Sequence, residues 1–391
     1  MKAFRSLLFW CHLCTGVVVG LLVLLMSVTG VLLTYQKQMT AWADTRGLNG
    51  SPPQAGAVRL PVDTLLARLA MSHPGTPSTV VWRNQPDAPV AVAFGLERTL
   101  FLNAYTGAVL GEGSAAMRRV FLIATEWHRY LGRYGDQRPL GKSITGAANL
   151  GFLLLILSGL YLWLPRNWSP AAVRNVALFR RGLSGKARDF NWHNVIGLWS
   201  FVPLFLIVLS GVVISYPWAS RLVLRVAGET PPPPAAPPGA ARPALAATAS
   251  TPTTLTAPPA LEPLVAAARD KRPGWKILTL QVPPADPEVT RAVFTVDEGT
   301  GGQPQARATL TYDRTTGAEL KWEPFSSGTP GRRLRTILRF THTGEVLGIV
   351  GQTIAGLVSL GATLLVWTGL WLAWRRFRSW QGRGAAARTV A

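Results

Sequence analysis

Four stretches of the chain, residues 17–33, 144–164, 195–216 and 347–374, are apolar almost without interruption and hold no ionised side chain. Each approaches or exceeds the roughly 20 residues that carry an α-helix across a bilayer. A buried core helix accounts for one such run but poorly for four, so the pattern predicts four membrane spans. The apolar character of the first 33 residues runs well past the hydrophobic region of a cleaved signal peptide, and "SVTG" is a weak cleavage site. The first run is therefore expected to stay as a span.

Between the spans the pattern changes to period two. Residues 58–113 open on a helix-like "VDTLLARLAM" and continue as alternating "STVVWR", "PVAVAFG" and "TLFLNAYTGAVLGEG". Residues 259–323 repeat this plan with "ALEPLVAAARDKRPGWKILTLQV", "TRAVFTV" and "ARATLTYDRTTGAELKWE". Each predicts a helix against a small antiparallel sheet, with Gly107 and Gly317 at a turn that needs positive φ. The Pro/Ala/Thr-rich stretch 229–258 reads as a flexible linker, because it has too little apolar surface to order itself.

The spans also repeat: 18 residues separate His12 from Gly30 and His193 from Gly211. The expected order is span one (10–35), outer domain (58–113), outer helical segment with span two (115–164) and a basic loop (165–190). Span three (191–216), the linker, a second outer domain (259–323), an outer helical segment with span four (333–374) and a basic tail (375–391) complete it. This is the arrangement of a duplicated unit of span, outer domain and span.

Charge orients the bundle. The loop before span three carries six basic residues against Asp189 alone, and the tail five with no acid, whereas residues 36–113 balance six basic with five acidic. Short basic loops face the cytoplasm, which puts both termini inside and both long segments outside. The net charge of +21 is thus mostly topology, and no basic nucleic-acid motif accompanies it. Cys11 and Cys14 in "CHLC" do not form a covalent haem motif and read as small buried apolar residues of a helix.

Only five histidines occur, and four sit at span edges: His12 and His193 toward the cytoplasm, His128 and His342 toward the outside. His73 lies apart in the first outer segment. Three readings fit: amphipathic anchors at the interface, a metal or proton path, or two non-covalent haems, each held by two imidazoles from different helices. The third is the main expectation, with His12 and His193 on one iron and His128 and His342 on the other. Arg129 and Arg339 flank the outer pair and could meet a propionate or an anionic chelate.

"WHRYLG", "THTGEVLGIVGQ" and the "YTGAVLG"-type turns resemble those of the PepSY-associated transmembrane family, which includes iron-regulated inner-membrane proteins and ferric-siderophore reductases. The resemblance implies an all-α four-helix transmembrane bundle with two small α+β PepSY-like periplasmic domains, internally duplicated, in a bacterial inner membrane. It further implies two haem b groups and transfer of electrons to a ferric siderophore or other ferric chelate. With no G-x-G-x-x-G after a strand, the donor would be a quinol or a separate cytoplasmic reductase. The alternative is a non-enzymatic PepSY-domain membrane protein that acts as a binding, uptake-accessory or regulatory module.

Overall fold

The computed structural model describes residues 2–95, 98–165, 168–231, 260–283 and 290–389, with side chains to 382. The linker expected at 229–258 lies outside these residues except for its first three. The elements run α1 (Lys2–Leu33), α2 (Gln36–Thr45), α3 (Val62–Ser72), β1 (Thr79–Arg83), β2 (Val90–Phe94), β3 (Arg98–Leu102), β4 (Val109–Glu112), α4 (Ala115–Tyr130) and α5 (Arg138–Trp163). They continue as α6 (Pro170–Ala177), α7 (Gly185–Ser215), α8 (Pro217–Val226), α9 (Glu262–Lys271), β5 (Ile277–Gln281), β6 (Arg291–Asp297), β7 (Arg307–Asp313), β8 (Glu319–Pro324), α10 (Pro330–His342) and α11 (Gly348–Thr389).

The chain divides into two compact units, one of helices and one built on the sheet. In the helical unit, four helices are long and apolar enough to cross a membrane: Lys2–Leu33, Gly135–Trp163, Gly185–Ser215 and Glu345–Gly382. This is a multi-pass membrane protein. α1 packs on α5 and α11, and α7 packs on the same two, so the spans form a ring. Ile156, Leu204, Val208 and Ala362 are buried inside it. Apolar side chains such as Val18, Leu21 and Trp199 point outward, as a bilayer requires.

α4 and α10 are separate helices, not outward extensions of the spans that follow them. After Tyr130 the chain turns through Leu131 and Gly132, both at positive φ; after His342 it turns at Gly344 and Gly348. Each break lets the last helical turn aim its histidine into the ring while the span starts afresh.

In the second unit, all eight strands join one antiparallel sheet in the order β4-β3-β2-β1-β5-β6-β7-β8. The two β-containing segments do not stand apart. β1 pairs with β5, matching Val81 to Thr279, and the two helices share one core with both sets of strands. Val62, Leu65 and Leu69 of α3 and Leu264, Val265 and Ala268 of α9 lie in one buried cluster with Val80, Trp82, Leu278, Leu280, Phe294 and Leu310. Those strand residues alternate with less buried ones, as period two dictates.

The seam is fixed by reciprocal capping. The Asp63 carboxylate accepts from the backbone N–H of Leu261 and of Glu262 at 2.9 Å, while the Glu262 carboxylate accepts from the N–H of Val62 at 2.6 Å. Each helix start thus receives an acid from the other, where orphan amides and the helix dipole favour one.

The turns at Gly107 and Gly317 have φ of +72° and +73°. In the first, Asn103 Oδ1 accepts from the N–H groups of Tyr105 and Thr106; in the second, Asp313 Oδ1 accepts from those of Thr315 and Thr316. Both are Asx turns, closed by a glycine free of a Cβ penalty.

Candidate functional site: two histidine pairs in the helical unit

The four span-edge histidines come together in two pairs. The rings of His12 and His193 have centroids 6.5 Å apart and lie nearly perpendicular; those of His128 and His342 are 6.3 Å apart and tilted by 59°. His12 comes from α1, His193 from α7, His128 from the end of α4 and His342 from the end of α10.

Every ring is held through Nδ1 by a helix other than its own. His12 Nδ1 meets Ser158 Oγ at 2.8 Å, His193 Nδ1 meets Thr368 Oγ1 at 3.0 Å, and His128 Nδ1 meets Thr29 Oγ1 at 2.9 Å. His342 Nδ1 instead bonds the backbone carbonyl of Ile207 at 2.8 Å. These partners fix the tautomers. A carbonyl only accepts, so His342 donates from Nδ1. The three hydroxyls already donate to carbonyls one turn back, Ser158 to Leu154, Thr29 to Leu25 and Thr368 to Leu364, which leaves them to accept from the imidazole. Each neutral ring therefore carries its proton on Nδ1 and its lone pair on Nε2.

A glycine also stands against each ring. A methyl group on Gly159 would lie 3.4 Å from His12 Cε1, on Gly369 3.2 Å from His193 Cε1, on Gly30 3.7 Å from His128 Cε1 and on Gly211 3.2 Å from His342 Cε1. The dipeptides Ser158-Gly159, Thr29-Gly30, Thr368-Gly369 and Ser210-Gly211 thus form four seats, one in each span. In the last, Ser210 Oγ donates to the Ile207 carbonyl that also receives His342. Asn149 bonds the Val208 carbonyl on the same stretch at 3.0 Å.

Arg129 and Arg339, expected beside the outer pair, are both exposed, with the Arg129 guanidinium 5.1 Å from the Tyr130 ring centre. His73 bonds its neighbour Ser72 and stands outside both pairs. Cys11 and Cys14, expected to be buried, are exposed free thiols on the outer face of α1.

Two ring nitrogens with lone pairs can share an occupant that brings donors or accepts electron pairs. The donor set stops there. Among the described residues, no group of three or more His, Cys, Asp or Glu side chains is placed to hold a metal ion. That finding argues against the main expectation. The two haem b groups, dihaem electron transfer and reduction of a ferric siderophore or other ferric chelate are set aside. The quinol or cytoplasmic reductase invoked as donor goes with them.

The family model for the PepSY-associated TM region matches residues 9–376, nearly the whole chain. The chain belongs to the PepSY-associated TM region family. Membership accounts for the four spans and for the β-containing segments between them; it assigns no reductase activity. No curated protein matches the chain.

Proposed function

We propose that this PepSY-family protein is a non-enzymatic membrane module that binds an extended peptide or protein segment, anchored by its four spans. The single observation that carries this reading is the open end of the sheet. Among the described residues β8 pairs only with β7, and its Glu319, Leu320 and Lys321 are exposed. At the other end β4 is short, and Leu48 lies over its Gly111. An unpaired edge of six residues offers backbone donors and acceptors to an added strand, and Leu320 offers an apolar contact.

The basic loops support a bacterial inner-membrane location with both termini cytoplasmic and both β-containing segments, 58–113 and 259–323, periplasmic. The paired seats and paired Asx turns support an internal duplication. Within the bundle, His12, His193, His128 and His342 offer two further pairs of acceptor nitrogens, with Arg129 and Arg339 exposed on the helices that carry His128 and His342.

A photo-crosslinking side chain at position 320, introduced into cells, tests the binding reading. Discrete adducts are expected there and none at Met71, which is more open (81% against 49%) but lies on α3. Equal labelling at both positions, or none at 320, overturns it. The visible absorbance of the purified protein tests the non-enzymatic part. A Soret band with haem near two per chain, lost in pairs with the histidines, would restore the electron-transfer reading.

A further inference from the structure

At one end of spans three and four, away from the outer histidine pair, lies a cavity of about 300 Å³ lined by Arg188, Asp189, Trp367, Thr368, Trp371 and Arg375. Asp189 is buried, and its Oδ1 accepts from Arg188 Nε at 3.2 Å and Nη2 at 3.0 Å. Among the described residues its Oδ2 has no hydrogen-bond partner, and Arg375 Nη2 stands 3.5 Å away. Arg375 Nε is likewise buried without a partner, and its guanidinium lies 5.4 Å from the Trp371 ring centre. Two guanidiniums against one carboxylate leave one positive charge. A complete ligand therefore needs an anionic oxygen for Arg375 and a hydrogen-bond donor for Asp189 Oδ2.

We propose that this cavity holds the headgroup of an anionic glycerophospholipid with free hydroxyls, of the phosphatidylglycerol class. The phosphodiester meets the arginines and a glycerol hydroxyl donates to Asp189. Trp367 and Trp371, 63% and 44% exposed, flank the cavity on the face of a span, where tryptophans meet the glycerol-ester region of a bilayer. Basic pockets between spans recognise anionic lipids in this way. Phosphatidylethanolamine brings a donor but no net charge, so it leaves the cavity's charge uncompensated. A soluble phosphate answers the arginines but makes no use of the tryptophans.

The test is lipid retention by the full-length protein in detergent, read by native mass spectrometry against dioleoyl phosphatidylglycerol, phosphatidylethanolamine and phosphatidylcholine. Phosphatidylglycerol is expected to bind about tenfold more tightly than either zwitterion, the worth of one charge-assisted hydrogen bond. Arg375→Gln and Arg188→Gln should each remove most of that preference. Equal retention of all three lipids overturns the proposal, as does a preference unchanged in both variants. Glycerol-1-phosphate that displaces phosphatidylglycerol at matched concentration assigns the cavity to a soluble phosphate and overturns the lipid assignment. If Arg375→Gln does not fold, Arg188→Gln and the wild-type preference decide.

Discussion

The two halves of the molecule hold similar local arrangements built with different chemistry. In the first half, both seats grip their histidine through a hydroxyl, Thr29 for His128 and Ser158 for His12. In the second, Thr368 does so for His193, but at Ser210 the hydroxyl turns to Ile207 and the carbonyl takes over. The turns differ in the same manner, with Asn103 in one and Asp313 in the other. So do the helix starts, where Asp63 serves two amides and Glu262 one. What is kept is the hydrogen bond at a given place. Any group that accepts from the right direction can supply it.

The seats give the sharpest break. Gly211→Ala pushes a methyl to 3.0 Å from Asn149 Nδ2 and 3.2 Å from His342, whereas Gly30→Ala meets nothing nearer than 3.7 Å. Overpacking of this kind costs about 1–3 kcal/mol. Thermal unfolding in detergent should show Gly211→Ala clearly destabilised and Gly30→Ala unchanged or slightly raised. Equal effects would mean the two seats are packed alike.

The capping acids come next. Asp63→Ala strands two amides and should cost about 2 kcal/mol, near the top of the range for lost helix caps, and Glu262→Ala about 1. Hydrogen exchange of the β1–β5 amides is the readout, and a larger loss in Glu262→Ala would reverse the assigned roles. Smaller still is the hydroxyl comparison. Thr368→Val removes the acceptor from His193 and should cost about 1 kcal/mol, within the range for buried polar groups in spans. Ser210→Ala leaves the His342 bond in place and should change stability by less than about 0.5 kcal/mol.

The spans were readable because a long apolar run in lipid needs no partner to make sense. The histidines were readable because rare polar residues at span edges must be accounted for. Their seats were not: Thr29, Ser158 and Thr368 look like any hydroxyl bonded back to its own helix, and the Ile207 carbonyl leaves no trace in residue type. The presence of a Ser/Thr-Gly in every span was the available signal, diluted by Thr15-Gly16 and Thr145-Gly146, which seat no histidine. Merging of the strands into one sheet was also hidden, because β1 and β5 alternate like any half-buried strand and their pairing is non-local. The break after α4 was partly hidden because Leu131 takes positive φ without being a glycine, whereas the break after α10 falls at Gly344 and Gly348.

The smallest effect lies in the Asx turns. Hydrogen bonds from the backbone N–H of Thr316 and then Thr315 hold the Asp313 carboxyl below its ordinary value, with burial opposing them. A depressed folded value contributes stability above the unfolded value of 3.8 that fades as pH falls through the folded one. Asn103 carries no such charge. Acid below pH ~4 should therefore loosen the Asp313 turn before the Asn103 turn, as seen in their amide NMR shifts. Asp313→Asn should abolish the difference, and a turn that loosens equally in that variant would locate the acid sensitivity elsewhere.

The β1–β5 seam also sets a schedule for making the protein. Roughly 200 residues separate the two strands, about 10–40 s of synthesis at usual ribosome speeds. Throughout that interval β1 has finished while its partner has yet to be built, and two further spans must insert first. A nascent chain with a bare strand edge is open to the wrong partner. Assembly of the sheet thus waits on the membrane, and the β1 edge that will meet β5 stays bare until the later segment arrives.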